Sequence, residues 1–165
     1  MPCQVFLQFD RVERRERAAR RSGRAAHDSR GILTTLYSFC SEYPCNDGDY
    51  VVAGLVQGTD GSFYGTTYSG GTYEDEGTVF RLSMGLAPFV ETQQTSGPVG
   101  AAVKILGTNL TGATKVTFYG TKTKFTVESE SKITTTVPSG ATTGTVHVLT
   151  PGGPLSSNVP FRVTS

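Results

Sequence analysis

The chain has no tryptophan, only two histidines and three cysteines among its 165 residues. No two cysteines form a CxxC pair, which excludes a zinc ribbon or a thioredoxin-like site. GxSxG and HExxH are both absent, so neither a nucleophile elbow nor a helical zinc site is expected. His27 lies in an arginine-rich stretch and His147 in a threonine-rich strand, too far apart in the sequence to suggest a pair. No stretch approaches the roughly 18 apolar residues that would cross a bilayer, and membrane insertion is not expected. The opening "MPCQVFLQF" is short, without a preceding basic region or a following cleavage site, and no secretory signal is legible in it.

What is present divides by charge. Residues 1–31 hold eight arginines against four acids, residues 32–87 one arginine against seven acids, and residues 88–165 six bases against three acids. Three different balances predict three different physical objects. In "DRVERRERAARRSGRAAHDSR", residues 10–30, Val12 is the only β-branched or large apolar side chain. Without a face to bury, residues 1–30 are expected to be a disordered basic extension. A basic arm for nucleic acid is the competing reading, since arginines neutralise phosphates. No aromatic interleaves with these arginines, and no nucleic-acid partner is expected.

From Leu33 to Leu82 the pattern repeats every two residues. "LTTLYSF" (33–39), "AGLVQ" (53–57), "SFYGTT" (62–67) and "GTVFRL" (77–82) are short strand candidates. Asp60 and Gly61 give a tight turn between the middle two. "GTDGSFYG" has neither GxGxxG nor GxxxxGK spacing, so it cradles no phosphate. Glu74, Asp75 and Glu76 are consecutive and point different ways when extended. Asp47 and Asp49 could with them hold a weak calcium ion, but the spacing of a dedicated calcium loop is missing. Cys40 and Cys45 in "FCSEYPC" could close a small loop in an oxidising compartment, or stay reduced. The expectation is therefore no catalytic, cofactor or metal residues, and no enzyme. Residues 31–84 are predicted to form one short antiparallel meander whose apolar set is Leu36, Phe39, Leu55, Phe63, Val79 and Phe80.

"LTTLYSFC", "AGLVQGTDGSFYGTTYSGG" and "GTVFRL" together resemble one unit of the Gloeo/Verruco repeat. That resemblance implies a propeller-like blade, normally found in tandem in large bacterial surface proteins. A propeller takes at least four blades, and one copy implies a piece of a longer array.

Residues 88–165 include seventeen threonines and no 3.6-residue apolar repeat. Seven strands are predicted: Phe89–Gln93, Ala101–Leu106, Lys115–Tyr119, Lys124–Glu128, Lys132–Val137, Thr145–Thr150 and Pro160–Val163. Short strands with turns every 8–12 residues are the signature of a β-sandwich. Alternation puts Val103, Ile105, Val116, Phe118, Val146 and Val148 inside, and Lys104, Thr117, Thr145 and His147 outside. Ile133, Val137, Phe161 and Val163 extend this core, with Leu110 plugging one end. Lysines 104, 115, 122, 124 and 132 are dispersed rather than gathered into a basic patch.

"GPVGAAVKILGTNLTGATKVTFYG", "ITTTVPSGATTGTVHVLTPGG" and "SSNVPFRV" resemble an IPT/TIG domain. Gly107, Asn109 and Leu110 match one part of that family's pattern, and Pro138, Gly140, Gly144 and Gly153 another. The resemblance implies an all-β, immunoglobulin-like (E-set) sandwich without a catalytic set, in an extracellular or cell-surface protein. Its partners would be neighbouring repeats or domains, another chain, or a polysaccharide. The function expected is a spacer, display or protein-interaction module; the alternative is a carbohydrate-binding accessory of a glycoside-processing enzyme. A sugar platform would need two or three tyrosines together on one face, and Tyr64, Tyr68, Tyr73 and Tyr119 are its candidates.

Overall fold

The computed structural model describes residues 3–5, 26–27, 33–72 and 76–165. It is all-β among these residues, and it divides into two compact units. One comprises Met1–Gln57 with Phe63–Ser83, the other Gly58–Ser62 with Met84–Ser165.

In the first unit, β1 (Cys3–Val5) pairs with β4 (Tyr37–Phe39), and β2 (Ala26–His27) pairs with β3 (Leu33–Thr34), both antiparallel. Of the expected disordered extension, only residues 3–5 and 26–27 are described, as β1 and β2 paired with β4 and β3. The rest of it lies outside the described residues. The expected single strand 33–39 is interrupted between Thr34 and Tyr37. A strand not expected, β5 (Asp49–Val51), joins the unit through β7 (Phe63–Ser69). β6 (Val56–Gln57) and β8 (Val79–Leu82) also pair with β7, making it the central strand.

Burial along β7 alternates, with Phe63, Gly65 and Thr67 inside and Tyr64, Thr66 and Tyr68 outside. Gly65 keeps the inner row open, because a Cβ there would run into Phe80 and Leu55. Val79, expected in the apolar set, is 80 % exposed. Its register partner is Thr66, on the outer row, whereas Phe80 pairs with Gly65 on the inner one.

The second unit is a two-sheet sandwich. One sheet has the order β14 (Phe125–Ser129), β15 (Lys132–Thr136), β11 (Ala102–Leu106), β9 (Glu91–Thr92). The other runs β13 (Thr121–Thr123), β12 (Lys115–Phe118), β16 (Val146–Thr150), β17 (Gly153–Ser156). A parallel pair, β10 (Ser96–Pro98) with β18 (Arg162–Thr164), completes it. All seven predicted strands have a counterpart. β10, β13 and β17 were not expected, because their Gly and Pro content or their threonines and lysines offer no apolar alternation.

The core is what alternation predicts. Val103, Ile105 and Ile133 come from one sheet and Val116, Phe118, Val146 and Val148 from the other, with Leu110, Val137 and Phe161 also buried. Phe118 and Phe161 meet edge to face, with ring centroids 5.2 Å apart. Asn109 adopts a left-handed φ of 57°, which Asn tolerates better than most residues. Gly107 sits against Leu110 and Val90, where a Cβ would crowd both side chains. That is how Leu110 reaches its plugging position. Thr117 shares the outer face with its exposed register partners but is itself covered. Thr117 is only 5 % exposed, since it stands between Lys122 and His147, its neighbours on the two flanking strands.

The turn 58–62 groups with the sandwich unit. Phe89 N–H donates to the Thr59 carbonyl at 2.9 Å, and the Thr59 and Thr108 hydroxyls lie 2.7 Å apart. Within the turn, Ser62 N–H donates to Asp60 Oδ1 at 3.0 Å and Gly61 has φ 83°. Asp60 is thus a turn residue, as its spacing suggests.

Candidate functional site

Two features of the first unit present side chains that could meet something else. The first is the outer row of β7. Register places Tyr64 between Val56 and Arg81, Thr66 beside Val79, and Tyr50 opposite Tyr68. Tyr68 is 74 % exposed, Val56 68 %, Tyr50 63 % and Tyr64 37 %. Tyr64 and Tyr68 lie four residues apart on one strand face, a separation of roughly 13 Å at ordinary strand rise. The row is therefore aromatic and apolar, with phenol hydroxyls at its surface and one guanidinium beside Tyr64. Such side chains suit contact with a partner that has both apolar faces and hydroxyl or amide groups.

On the inner side, Phe39 packs on Phe80 with centroids 4.7 Å apart, and Tyr37 meets Phe39 edge-on at 4.8 Å. These rings, with Arg81 and Leu82, line a cavity of about 220 Å³. Tyr37 OH donates to Asp47 Oδ2 at 3.0 Å. Accepting that bond, Asp47 holds the Tyr37 phenol above its ordinary pKa of 10.0, with desolvation and the Asp47 charge acting in the same direction.

The second feature is the loop from Cys40 to Asp49. Cys40 and Cys45 are joined by a disulfide, with Cα atoms 4.3 Å apart. Backbone groups hold the loop as well. Cys40 N–H donates to Asp47 Oδ1 at 3.0 Å, and the Cys45 carbonyl accepts from Gly48 N–H at 3.0 Å and Gly71 N–H at 2.8 Å. Asp49 lies with the two sulfurs, its ligand oxygen and both Sγ atoms all within 4.8 Å of one another. Asp47 and Asp49 do not act as a pair: Asp47 serves Tyr37 and Cys40, while Asp49 Oδ1 accepts from Tyr50 N–H at 2.8 Å. Glu74 and Asp75, the other half of the weighed calcium site, lie outside the described residues, as does Tyr73.

The sandwich unit gathers less. His147 is exposed on β16, its Nδ1 3.0 Å from Ser156 Oγ. Lys104, Lys115, Lys122 and Lys124 are exposed, Lys132 is half-buried, and they are distributed over both sheets. Tyr119, the one tyrosine in this unit, is exposed. The unit's order of strands, its left-handed Asn109 and the close-packed Gly107 agree with a match of residues 88–163 to the IPT/TIG domain family. This span is an IPT/TIG domain. No curated protein and no solved structure gives a significant match to the chain.

In the IPT/TIG domain, sequence reasoning missed no described cluster. In the first unit it missed Tyr50, because β5 carries the unpromising sequence "DYV", and it placed Asp49 with Asp47 rather than beside the two cysteines. The available signal was the alternation in "FYGTTYS", which puts Tyr64 and Tyr68 on one side.

Proposed function

We propose that this chain is a non-catalytic β-module, extracellular or cell-surface, that displays or joins other parts of a larger repeat protein. An IPT/TIG domain is in general an interaction module, and residues 31–84 resemble a repeat unit that occurs in tandem. The disulfide fits an oxidising compartment. The observation that carries the reading is the outer row of β7, where Tyr50, Tyr64, Tyr68, Val56 and Val79 are exposed together. Contiguous exposed apolar and aromatic surface of this kind commonly marks an interaction site. A neighbouring repeat or another protein chain is the partner this reading favours.

A second reading has its own support. Three tyrosines on neighbouring positions of one sheet are what a polysaccharide platform requires. Affinity electrophoresis in gels containing soluble polysaccharides, run beside sedimentation of the chain with and without added repeat units, separates the two. Retardation by a polysaccharide that is lost in Tyr64→Ala and Tyr68→Ala selects the glycan reading. Association with repeat units, lost in the same variants, selects the protein reading. If neither occurs, or if either survives both substitutions, β7 is not the contact face.

A further inference from the structure

We propose that the Cys40–Cys45 loop, when its disulfide is reduced, is a binding site for a zinc-class divalent ion completed by Asp49. The disulfide itself brings the two sulfurs together, and the informative observation is that an Asp49 carboxylate oxygen lies within 4.8 Å of both. A tetrahedral zinc with Zn–S bonds near 2.3 Å holds its sulfurs about 3.8 Å apart, a separation that side-chain rotation can supply. Thiolate donors favour zinc over magnesium or calcium, and three protein ligands leave the fourth position to water.

Backbone hydrogen bonds hold the loop alongside the disulfide. Asp47 fixes Cys40 through its backbone N–H, and Gly48 and Gly71 fix Cys45 through its carbonyl. Gly70 packs so closely that a Cβ there would meet the Cys45 carbonyl oxygen and the backbone of Gly48 and Asp49. On reduction, these contacts are what would keep the two thiols beside Asp49. Asp49 Oδ1 holds Tyr50 N–H, and an ionised carboxylate has a second oxygen to offer a metal.

The chemistry balances. A dithiol, becoming a disulfide, or a phosphine, becoming its oxide with oxygen from water, gives two electrons and two protons to the S–S bond, which breaks to two thiols; the ion then displaces those two protons to solvent and forms two metal–sulfur bonds. A disulfide-class oxidant, reduced to two thiols by exchange, takes the two electrons back, re-forms the S–S bond and releases the ion, so metal and disulfide exclude each other. Chains newly made in a thiol-buffered cytoplasm start in the reduced form. The ion would hold the loop closed until export or oxidation replaced it with the covalent link.

The test is cobalt titration of the full chain, reduced with a phosphine, in parallel with Cys3→Ser to remove the third thiol. Both should bind one equivalent, with a thiolate-to-cobalt charge-transfer band in the near ultraviolet that zinc abolishes. The oxidised chain, folded and otherwise identical, should show no band. Asp49→Asn should weaken binding by about tenfold or more, at least what losing an outer-shell partner costs. No band in the reduced chain, equal binding by the oxidised chain, loss of binding in Cys3→Ser, or full affinity in Asp49→Asn would each overturn the proposal.

Discussion

Gly144 is glycine because of Tyr119. The two belong to adjacent segments of the IPT/TIG domain, where Tyr119 N–H donates to the Thr145 carbonyl at 2.9 Å and Gly144 exchanges hydrogen bonds with Phe161. A Cβ on Gly144 would run into Tyr119 Cβ, Cγ and Cδ2. These atoms are the base of the side chain, so the ring cannot simply swing away. Tyr119 is further held at φ 43°, followed by Gly120 at φ 93°, the two-residue turn of the β12–β13 hairpin. Its backbone has little room to retreat. Overpacking of this kind costs about 1–3 kcal/mol. For a domain of this size each kcal/mol lowers Tm by roughly 4–8 °C. Gly144→Ala should therefore lower the Tm of the sandwich by about 4–24 °C, followed by near-ultraviolet or far-ultraviolet circular dichroism. Tyr119→Gly removes all three clashing atoms and suits the left-handed turn, since such hairpins favour glycine at this position. The double variant should recover at least about 1 kcal/mol relative to the sum of the singles, a coupling well above additivity error. If Gly144→Ala is neutral, or if Tyr119→Gly gives no recovery, the collision is not why glycine is there.

Ile105 lies fully buried, opposite Ile133. Ile105→Ala removes three carbons, about 2.4 kcal/mol of transfer energy at ~0.8 kcal/mol each, and with the cavity the loss should fall within about 2–5 kcal/mol. His147→Ala, on the outer face of the opposite sheet, should cost less than about 0.5 kcal/mol; similar losses in urea unfolding would refute the face assignment. In a spectrophotometric titration, Tyr37 should ionise above the ordinary tyrosine range, and Tyr37→Phe should remove that late component. The sign follows from the raised pKa: the Tyr37–Asp47 contact stabilises the folded unit below pH ~10 and is lost as pH rises past the folded value. A titration in which Tyr37→Phe removes an ordinary component instead would deny that the Asp47 bond persists in solution.

Legibility followed the strength of the apolar period. In the sandwich, Val103/Ile105, Val116/Phe118 and Val146/Val148 alternate cleanly against lysine, threonine and histidine, and each of these six side chains is buried. Ser96–Pro98, Thr121–Thr123 and Gly153–Ser156 pair through the backbone with side chains that carry no such alternation, so nothing in their residue types marked them as strands. Thr117 shows a different limit. Alternation assigns a face, but burial on that face depends on cross-strand neighbours, which single-strand patterns do not contain. In the first unit the same limit misplaced Val79. Val79 and Phe80 are equally apolar, and only the register against β7 decides which of them faces inward.

β7 explains why the disulfide loop and the tyrosine row occur in the same unit. Its inner row is Phe63, Gly65 and Thr67, so one large apolar side chain must serve a strand of seven residues. Phe39, Phe80 and Leu55 supply the rest, and a cavity of about 220 Å³ persists among the aromatic rings. A core this small offers limited hydrophobic stabilisation. Thr67 meets the deficit with polar contacts: its hydroxyl donates to the Ser69 carbonyl at 3.1 Å and accepts from Thr78 N–H at 2.8 Å. The Cys40–Cys45 link adds a covalent restraint close by, where Gly48 approaches the Thr67 and Thr78 side chains. By the loop-entropy relation, closing so short a loop contributes roughly 2 kcal/mol, comparable to one well-buried side chain. A unit stabilised in this way can leave Tyr64, Tyr68 and Tyr50 outside without needing them as core. The partner contact proposed above would use that row, and loss of the Cys40–Cys45 link should weaken the unit that holds it by about the same 2 kcal/mol.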